Sequence, residues 1–156
     1  MLITLVKPVY FKFESDFVDT MRCIPMIVRY KLDTCDKKLQ LPEWSRLSKD
    51  EKDLLAELPC ETPAEIAQYR ATLDEMVWNR SKKNIKDLGG VDPTWDNLSQ
   101  VPNEVQQKAH EWACAPLTLP QWLSLDLLQR FALVKLSRSG HEGENFPVAL
   151  AEFGIG

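Results

Sequence analysis

The sequence has 156 residues, of which 44% are hydrophobic and 27% charged, and its formal net charge is −4. This length is typical of one domain with a substantial core, and the composition excludes a disordered chain. The acidic balance argues against nucleic acid as a partner. Charged side chains interrupt the most apolar stretch, residues 119–136, so the sequence also predicts no membrane span.

The N-terminus lacks the basic start, long apolar run and small-residue cleavage site of a signal peptide. We therefore expect a cytoplasmic protein. In that compartment the four cysteines are expected to be reduced thiols rather than two disulfides.

Residues 1–14 differ from the rest of the chain. Apolar and polar side chains alternate over residues 9–13, which is a strand-like pattern without a partner strand. We interpret this segment as an extended arm. A helix is predicted over 16–23, because Phe17, Met21 and Ile24 are spaced helically, and a second one over 26–35, with a break at Pro25.

Helix starts are marked along the remaining sequence by prolines and by capping boxes. In a capping box, a hydroxyl side chain and a Glu or Gln three positions later bind each other's backbone N–H groups. Such boxes begin at Ser48, Thr62 and Thr118. An apolar stripe follows Thr62, another helix is predicted over 102–112, and residues 118–140 are predicted to form one long central helix. On that helix, Asp126 and Arg130 would form an i,i+4 ion pair.

These patterns predict an all-α protein. We expect residues 1–156 to form a single compact helical bundle of about six helices, with the extended arm over 1–14 and an irregular connection over 81–101.

Catalytic signatures are missing from the sequence: there is no phosphate loop, HExxH, CxxC or nucleophile elbow. We therefore expect no catalytic residues, no metal site and no cofactor. His110 and Cys114 stand four apart and could form half a zinc site, but a solvated surface histidine is the better interpretation.

The arginines have two possible roles. Arginines next to the polar strip of a central helix usually form internal ion pairs. The alternative is a small basic patch that binds an acidic partner. The arginines are Arg22, Arg29, Arg130 and Arg138, and the plausible internal partners are Asp16, Asp33 and Asp126.

Two long stretches carry a resemblance to a known family. They contain Arg22-Cys-Ile-Pro-Met26 with Val28-Arg29-Tyr-Lys31, and Leu128-Gln-Arg-Phe-Ala-Leu133 with Lys135-Leu-Ser-Arg138-Ser-Gly140-His141-Glu. Together they resemble the nitrate reductase associated protein family over nearly the whole chain. The resemblance implies an accessory role for the molybdenum- and iron–sulfur-containing assimilatory nitrate reductase, and it brings no established catalytic residues.

We therefore expect a non-enzymatic accessory or maturation factor that binds assimilatory nitrate reductase and supports its activity in nitrate assimilation. The candidate partner-binding residues lie in the two stretches: Arg22, Arg29, Lys31, Arg138, His141, Asn145 and Phe146. Two alternatives remain open: a metal- or cluster-handling protein using Cys23, Cys35 and His141, and a thiol-based redox switch at Cys23.

Overall fold

A computed structural model of the chain describes residues 4–140 and 143–155. Over these ranges the protein is all-α, which confirms the predicted fold class, and no helix there is long and apolar enough to cross a membrane. The described residues form eight α-helices: α1 (Met26–Thr34), α2 (Leu41–Arg46), α3 (Lys49–Glu57), α4 (Pro63–Ser81), α5 (Asn103–Glu111), α6 (Leu119–Ser124), α7 (Leu127–Arg138) and α8 (Asn145–Glu152).

The chain divides into two compact units, Met1–Val91 (unit 1) and Asp92–Gly156 (unit 2). The boundary lies inside the segment 81–101, where the sequence predicts an irregular connection. Within that segment, residues 94–96 form a short 3-10 helix. The single-domain organisation stays a prediction.

The described part of unit 1 begins with residues 4–11, which form neither helix nor strand, whereas Lys12–Glu14, the end of the predicted extended arm, form a short 3-10 helix. The N–H of Val6 donates to the carbonyl of Glu57 at the end of α3 over 2.8 Å. The buried carboxylate of Glu14 accepts hydrogen bonds from the backbone N–H groups of Phe11, at 3.1 Å, and Met26, at 2.8 Å. Glu14 thus satisfies a free N–H at the start of α1, where Pro25 offers no side-chain cap.

The prediction of a helix over 16–23 is wrong, because the backbone there forms a series of turns. Met21 has φ of +55°, a left-handed conformation that an α-helix does not tolerate. Its side chain is nevertheless buried, so the apolar spacing that indicated a helix reflects burial.

The core of unit 1 forms around α4. Its apolar stripe is buried as predicted, with Tyr69, Leu73, Met76 and Val77 facing inward. The Tyr69 hydroxyl donates to the carbonyl of Leu55 on α3 over 2.7 Å. The predicted capping boxes at Ser48 and Thr62 are both present and begin α3 and α4.

Unit 2 is built on α7, whose side chains at positions 131–134 and 136 are fully buried, as predicted for a central helix. Helices α5 and α8 pack against it. The indole N–H of Trp122, on α6, donates to the carbonyl of Asn97 over 2.8 Å.

The single helix predicted over 118–140 is instead two helices, α6 and α7. The Asp126 side chain accepts from the N–H of Gln129 over 2.8 Å, and the Gln129 side chain accepts from the N–H of Asp126 over 2.9 Å. Asp126 is therefore the N-cap of α7 with an extended backbone, and it does not form the predicted ion pair with Arg130. The Asp-x-x-Gln spacing is the signal that could have revealed this start.

Candidate functional site

The predicted partner-binding residues of unit 1 differ in exposure. The Arg22 side chain is 58% exposed and donates to the Asp16 carbonyl at 2.8 Å and to its carboxylate at 3.4 Å. Asp16 is one of the internal partners predicted for the arginines. Arg29 is half-buried, and its Nε donates to the carbonyl of Ile24 over 2.9 Å, next to Pro25. Arg22 is thus the more exposed of the two arginines.

Lys31 is buried, with 7% of its surface exposed. Its Nζ donates to the carbonyl of Ala56 over 2.6 Å and so connects α1 with α3. Burial lowers the pKa of the Lys31 ammonium, and the nearby charges of Cys60, Glu61 and Glu57 offset part of that effect. The expectation that this side chain lies on an outward surface is therefore wrong.

Arg138 forms the main polar cluster of unit 2. Its guanidinium binds both carboxylate oxygens of Glu104, at 3.1 and 3.0 Å, and donates to the carbonyl of Asp92 at 2.8 Å. It also lies over the ring of Trp95, 5.7 Å from the centroid. These contacts match the internal ion-pair interpretation of Arg138, although its acidic partner is not among the three aspartates predicted.

Glu104 in this cluster gives a pH prediction. Burial raises the pKa of its carboxyl, but hydrogen bonds from Arg138 and Thr94 outweigh burial and bring the pKa below its usual range. The unfolded chain therefore binds more protons than the folded one as pH falls through about 4.3. The cluster's contribution to the free energy of unfolding should be complete above that value and disappear as pH falls through the lower folded pKa.

Chemical denaturation of the wild type and of the Glu104→Gln variant, between about pH 6 and pH 3, measures this effect. The variant lacks the titrating carboxyl, so its free energy of unfolding should fall less over this pH range than that of the wild type. Equal pH dependence in the two proteins would contradict the assignment.

Two of the remaining predicted residues, Asn145 and Phe146, lie on α8. Asn145 is its first residue and is half-buried, whereas Phe146 is completely buried, with 0% exposed. His141 lies outside the described residues. The expectation that Phe146 faces outward is therefore wrong, because its ring belongs to the core of unit 2. The partner-binding role of the exposed residues stays a prediction.

Arg130 is fixed by carbonyl groups. Its Nε donates to the carbonyl of Trp95 over 2.9 Å, and a terminal nitrogen donates to the carbonyl of Leu125 over 2.6 Å. Arg130 thus connects α7 with the segment before α5 without an acidic partner in these contacts.

A groove of about 240 Å³ opens in unit 1 beside α1. Its walls include residues 6–8 of the N-terminal arm, the acidic side chains of Glu61 and Glu65, and the buried residues Lys31 and Cys60. Sequence reasoning did not identify this groove, since its walls come from four separate segments of the chain.

Two buried thiols meet beside this groove. The thiol of Cys35 donates to the carbonyl of Leu32 over 3.6 Å, and that of Cys60 donates to the carbonyl of Lys31 over 3.7 Å. Because these acceptors are consecutive residues of α1, the two thiols lie side by side, close enough for each to affect the pKa of the other. We call Cys35 and Cys60 the thiol pair.

The thiol pair is electrostatically coupled. A hydrogen bond that Cys60 donates to the ionised Cys35 lowers the pKa of the Cys35 thiol against the opposing effect of burial, and the charge of Arg70 helps. The same hydrogen bond, together with burial, raises the pKa of the Cys60 thiol far above its usual range. The first proton therefore leaves Cys35 at a lower pH than it leaves an ordinary thiol, and Cys60 holds the second tightly.

Ionic contacts hold the backbone at Cys35 in place. Arg70 donates to the carbonyl of Cys35 and pairs with Asp87 over 3.1 Å. The buried ammonium of Lys37 pairs with Asp87 at 3.3 Å and with Asp74 at 3.0 Å. The backbone immediately after α1 is therefore bound to α4 and to the loop that follows α4.

Unit 2 exposes three leucines at intervals of four residues: Leu119, Leu123 and Leu127. Leu119 and Leu123 lie on one face of α6, and Leu127 is the first residue of α7. Leu123 is the most exposed of the three, at 48%. We call Leu119 and Leu123, which share one helix, the leucine face.

The described residues contain no group of three His, Cys, Asp or Glu side chains arranged to hold a metal ion. Of the ligands in the metal-handling alternative, Cys23 is half-exposed, Cys35 is buried and His141 lies outside the described residues. For the zinc half-site, His110 is exposed and Cys114 is half-exposed, with its thiol bonded to the carbonyl of Trp112.

The fold and these sites together define an all-α protein with a buried thiol pair in one unit and an exposed leucine face in the other. The chain belongs to the conserved nitrate reductase-associated protein family, whose family model matches residues 10–153. This confirms the resemblance found in the sequence. No curated protein and no solved structure matches the chain.

Proposed function

We propose that this protein is a non-enzymatic accessory or maturation factor that binds assimilatory nitrate reductase in the cytoplasm and supports its activity. Membership of the nitrate reductase-associated family is the observation on which this proposal rests. An accessory factor needs a surface for its partner, and the family description, which names nitrate reductase, supports that enzyme as the partner.

The leucine face is the surface that we assign to this partner. Apolar side chains are expensive to leave in water, and clustered exposed ones often belong to interaction sites. Leu119 and Leu123 supply such side chains on one face of α6, whose first turn is held by a capping box. Docking would remove these side chains from water.

Binding of the purified chain to purified apo-reductase tests the proposal directly. We expect a complex at micromolar concentrations and at least a roughly tenfold weaker affinity for Leu123→Glu, because the substitution places a charge inside the interface. Val148→Glu is the matched control, since Val148 on α8 is exposed to the same extent, at 49%. Equal losses in both variants would remove the leucine face from the docking surface.

Arg22→Ala tests the charged part of the predicted surface separately. Its contacts with Asp16 are exposed, so the variant should remain folded and any loss of affinity would report a direct contact.

Reductase activity provides the functional readout. Adding the chain to reductase produced without it should raise nitrate reduction, while the chain alone with nitrate and an electron donor should show no turnover. Failure to form any complex with the apo-reductase or the mature enzyme at micromolar concentrations would overturn the proposal.

A further inference from the structure

We propose that Cys35 and Cys60 are an oxidisable dithiol site, at which a hydroperoxide converts the two thiols into an intramolecular disulfide. The proposal stands on the side-by-side placement of the two sulfur atoms and on the groove that leads to one of them. It concerns unit 1 alone and is independent of the proposed function.

The positions of the two sulfur atoms support bond formation. Cys35 follows the last residue of α1, and Cys60 lies two residues before Thr62, the N-cap of α4. Each thiol donates to one of two consecutive carbonyls of α1, at 3.6 and 3.7 Å. The sulfur atoms therefore already lie next to each other in the reduced protein.

Access is provided by the groove beside α1. Cys60 and Lys31 are among the residues that line its roughly 240 Å³. A water molecule occupies about 30 Å³ in the liquid, so a hydroperoxide as small as hydrogen peroxide can be accommodated. The groove therefore brings a small hydroperoxide to Cys60, which lies next to Cys35.

The electrostatic surroundings favour a reactive thiolate in the pair. The thiolate form is the nucleophile toward peroxides, and neighbouring cations stabilise it. Lys31 lies beside Cys60, and the guanidinium of Arg70 bonds the Cys35 carbonyl. Because the pKa of Cys35 is lowered and that of Cys60 raised, loss of a single proton leaves the negative charge on Cys35, and Cys60 remains the neighbouring thiol.

The reaction consumes one hydrogen peroxide molecule and both thiols. The thiolate of the pair attacks one peroxide oxygen, the O–O bond breaks, and the departing hydroxide takes up a proton to form water, which leaves a sulfenic acid. The second sulfur then attacks the sulfenic sulfur, the S–O bond breaks, and a second water leaves. The two cysteines together lose two electrons, and the peroxide is reduced to two water molecules.

The disulfide would join the end of α1 to the start of α4. The chain between them, residues 36–59, contains α2 and α3 and would become a closed loop. Closing a loop restricts the unfolded chain and so stabilises the folded state. Oxidation should therefore stabilise unit 1.

The test uses the full chain carrying Cys23→Ser and Cys114→Ser, which removes the two half-exposed thiols and leaves the pair. After treatment with hydrogen peroxide, peptide mapping by mass spectrometry should find Cys35 linked to Cys60. The thermal unfolding midpoint should rise by at least about 5 °C and return on reduction with dithiothreitol.

Cys60→Ala in the same background separates the two steps. We expect a sulfenic acid at Cys35, trapped by dimedone, with no disulfide and no rise of the midpoint. Circular dichroism verifies that this variant is folded, and mapping of the linkage in the wild-type chain gives an answer that does not depend on any substitution.

Two results would overturn the proposal. One is the absence of a Cys35–Cys60 linkage at peroxide concentrations that leave the protein folded. The other is a linkage rate that rises with added urea in proportion to the globally unfolded fraction, because the thiols would then react only after unfolding.

Discussion

Phe146→Ala should lower the free energy of unfolding by about 3–5 kcal/mol. The Phe146 ring is completely buried on α8, which packs against α5 and α7. Removing the ring forfeits its transfer free energy and leaves a cavity that the surrounding helices fill only partly. Urea or guanidinium denaturation monitored by circular dichroism measures the change.

Val148→Ala is the matched control, because Val148 lies on the same helix with its side chain exposed, and its free energy of unfolding should stay within about 0.5 kcal/mol of the wild type. The sequence placed Phe146 among the partner-binding residues, so the variant separates the two roles. A Phe146→Ala protein of unchanged stability that no longer bound the reductase would restore the contact role and contradict the core role.

Lys31→Ala should lower the free energy of unfolding by about 2–4 kcal/mol. The variant loses the 2.6 Å hydrogen bond from the ammonium to the Ala56 carbonyl and leaves the space of a buried side chain unfilled. The same denaturation experiment measures the loss.

Two further variants identify the cause. Lys31→Met keeps an apolar stem of similar length and removes the buried charge, so its loss should be smaller than that of Lys31→Ala. Lys49→Ala removes a lysine from an exposed i,i+4 pair with Asp53, which is worth less than about 0.5 kcal/mol. If Lys31→Ala were no more destabilising than Lys49→Ala, the Lys31 contact would not hold α1 against α3.

Lys31 and Phe146 were both predicted to lie on the surface and are both buried, which shows why side-chain exposure is difficult to predict from the sequence. Lys31 is a lysine, a residue type that is almost never fully buried without a partner, and its partner is a backbone carbonyl 25 residues away. Phe146, Ala149 and Leu150 have the i, i+3, i+4 spacing of an apolar helix face, which favours burial, but this spacing does not show which segments cover the face. Exposure in both cases depends on which segments fold over the side chain.

Most helix starts, in contrast to side-chain exposure, could be predicted from the sequence. The capping boxes at Ser48, Thr62 and Thr118 lie where the sequence predicted them. Both partners of a box are three residues apart, so the pattern needs no information about the rest of the fold. The one long helix that proved to be two contained a further box at Asp126, overlooked because continuous hydrophobicity indicated a single buried helix.

The candidate sites depended on contacts across the chain. The thiol pair joins residues 25 positions apart, and the Arg138 cluster joins residues 34 and 46 positions apart. Neither spacing matches any local motif, whereas family membership was recognisable from the two long stretches.

The amino-acid sequence alone was sufficient for the all-α class, the family and most helix starts, because each depends on neighbouring side chains or on long continuous stretches. The folded chain was needed to show that Lys31 and Phe146 are buried, that Arg138 binds Glu104 and that Cys35 meets Cys60. These properties follow from packing, which brings distant residues together and excludes water from some polar groups while leaving others, such as Arg22, in solvent.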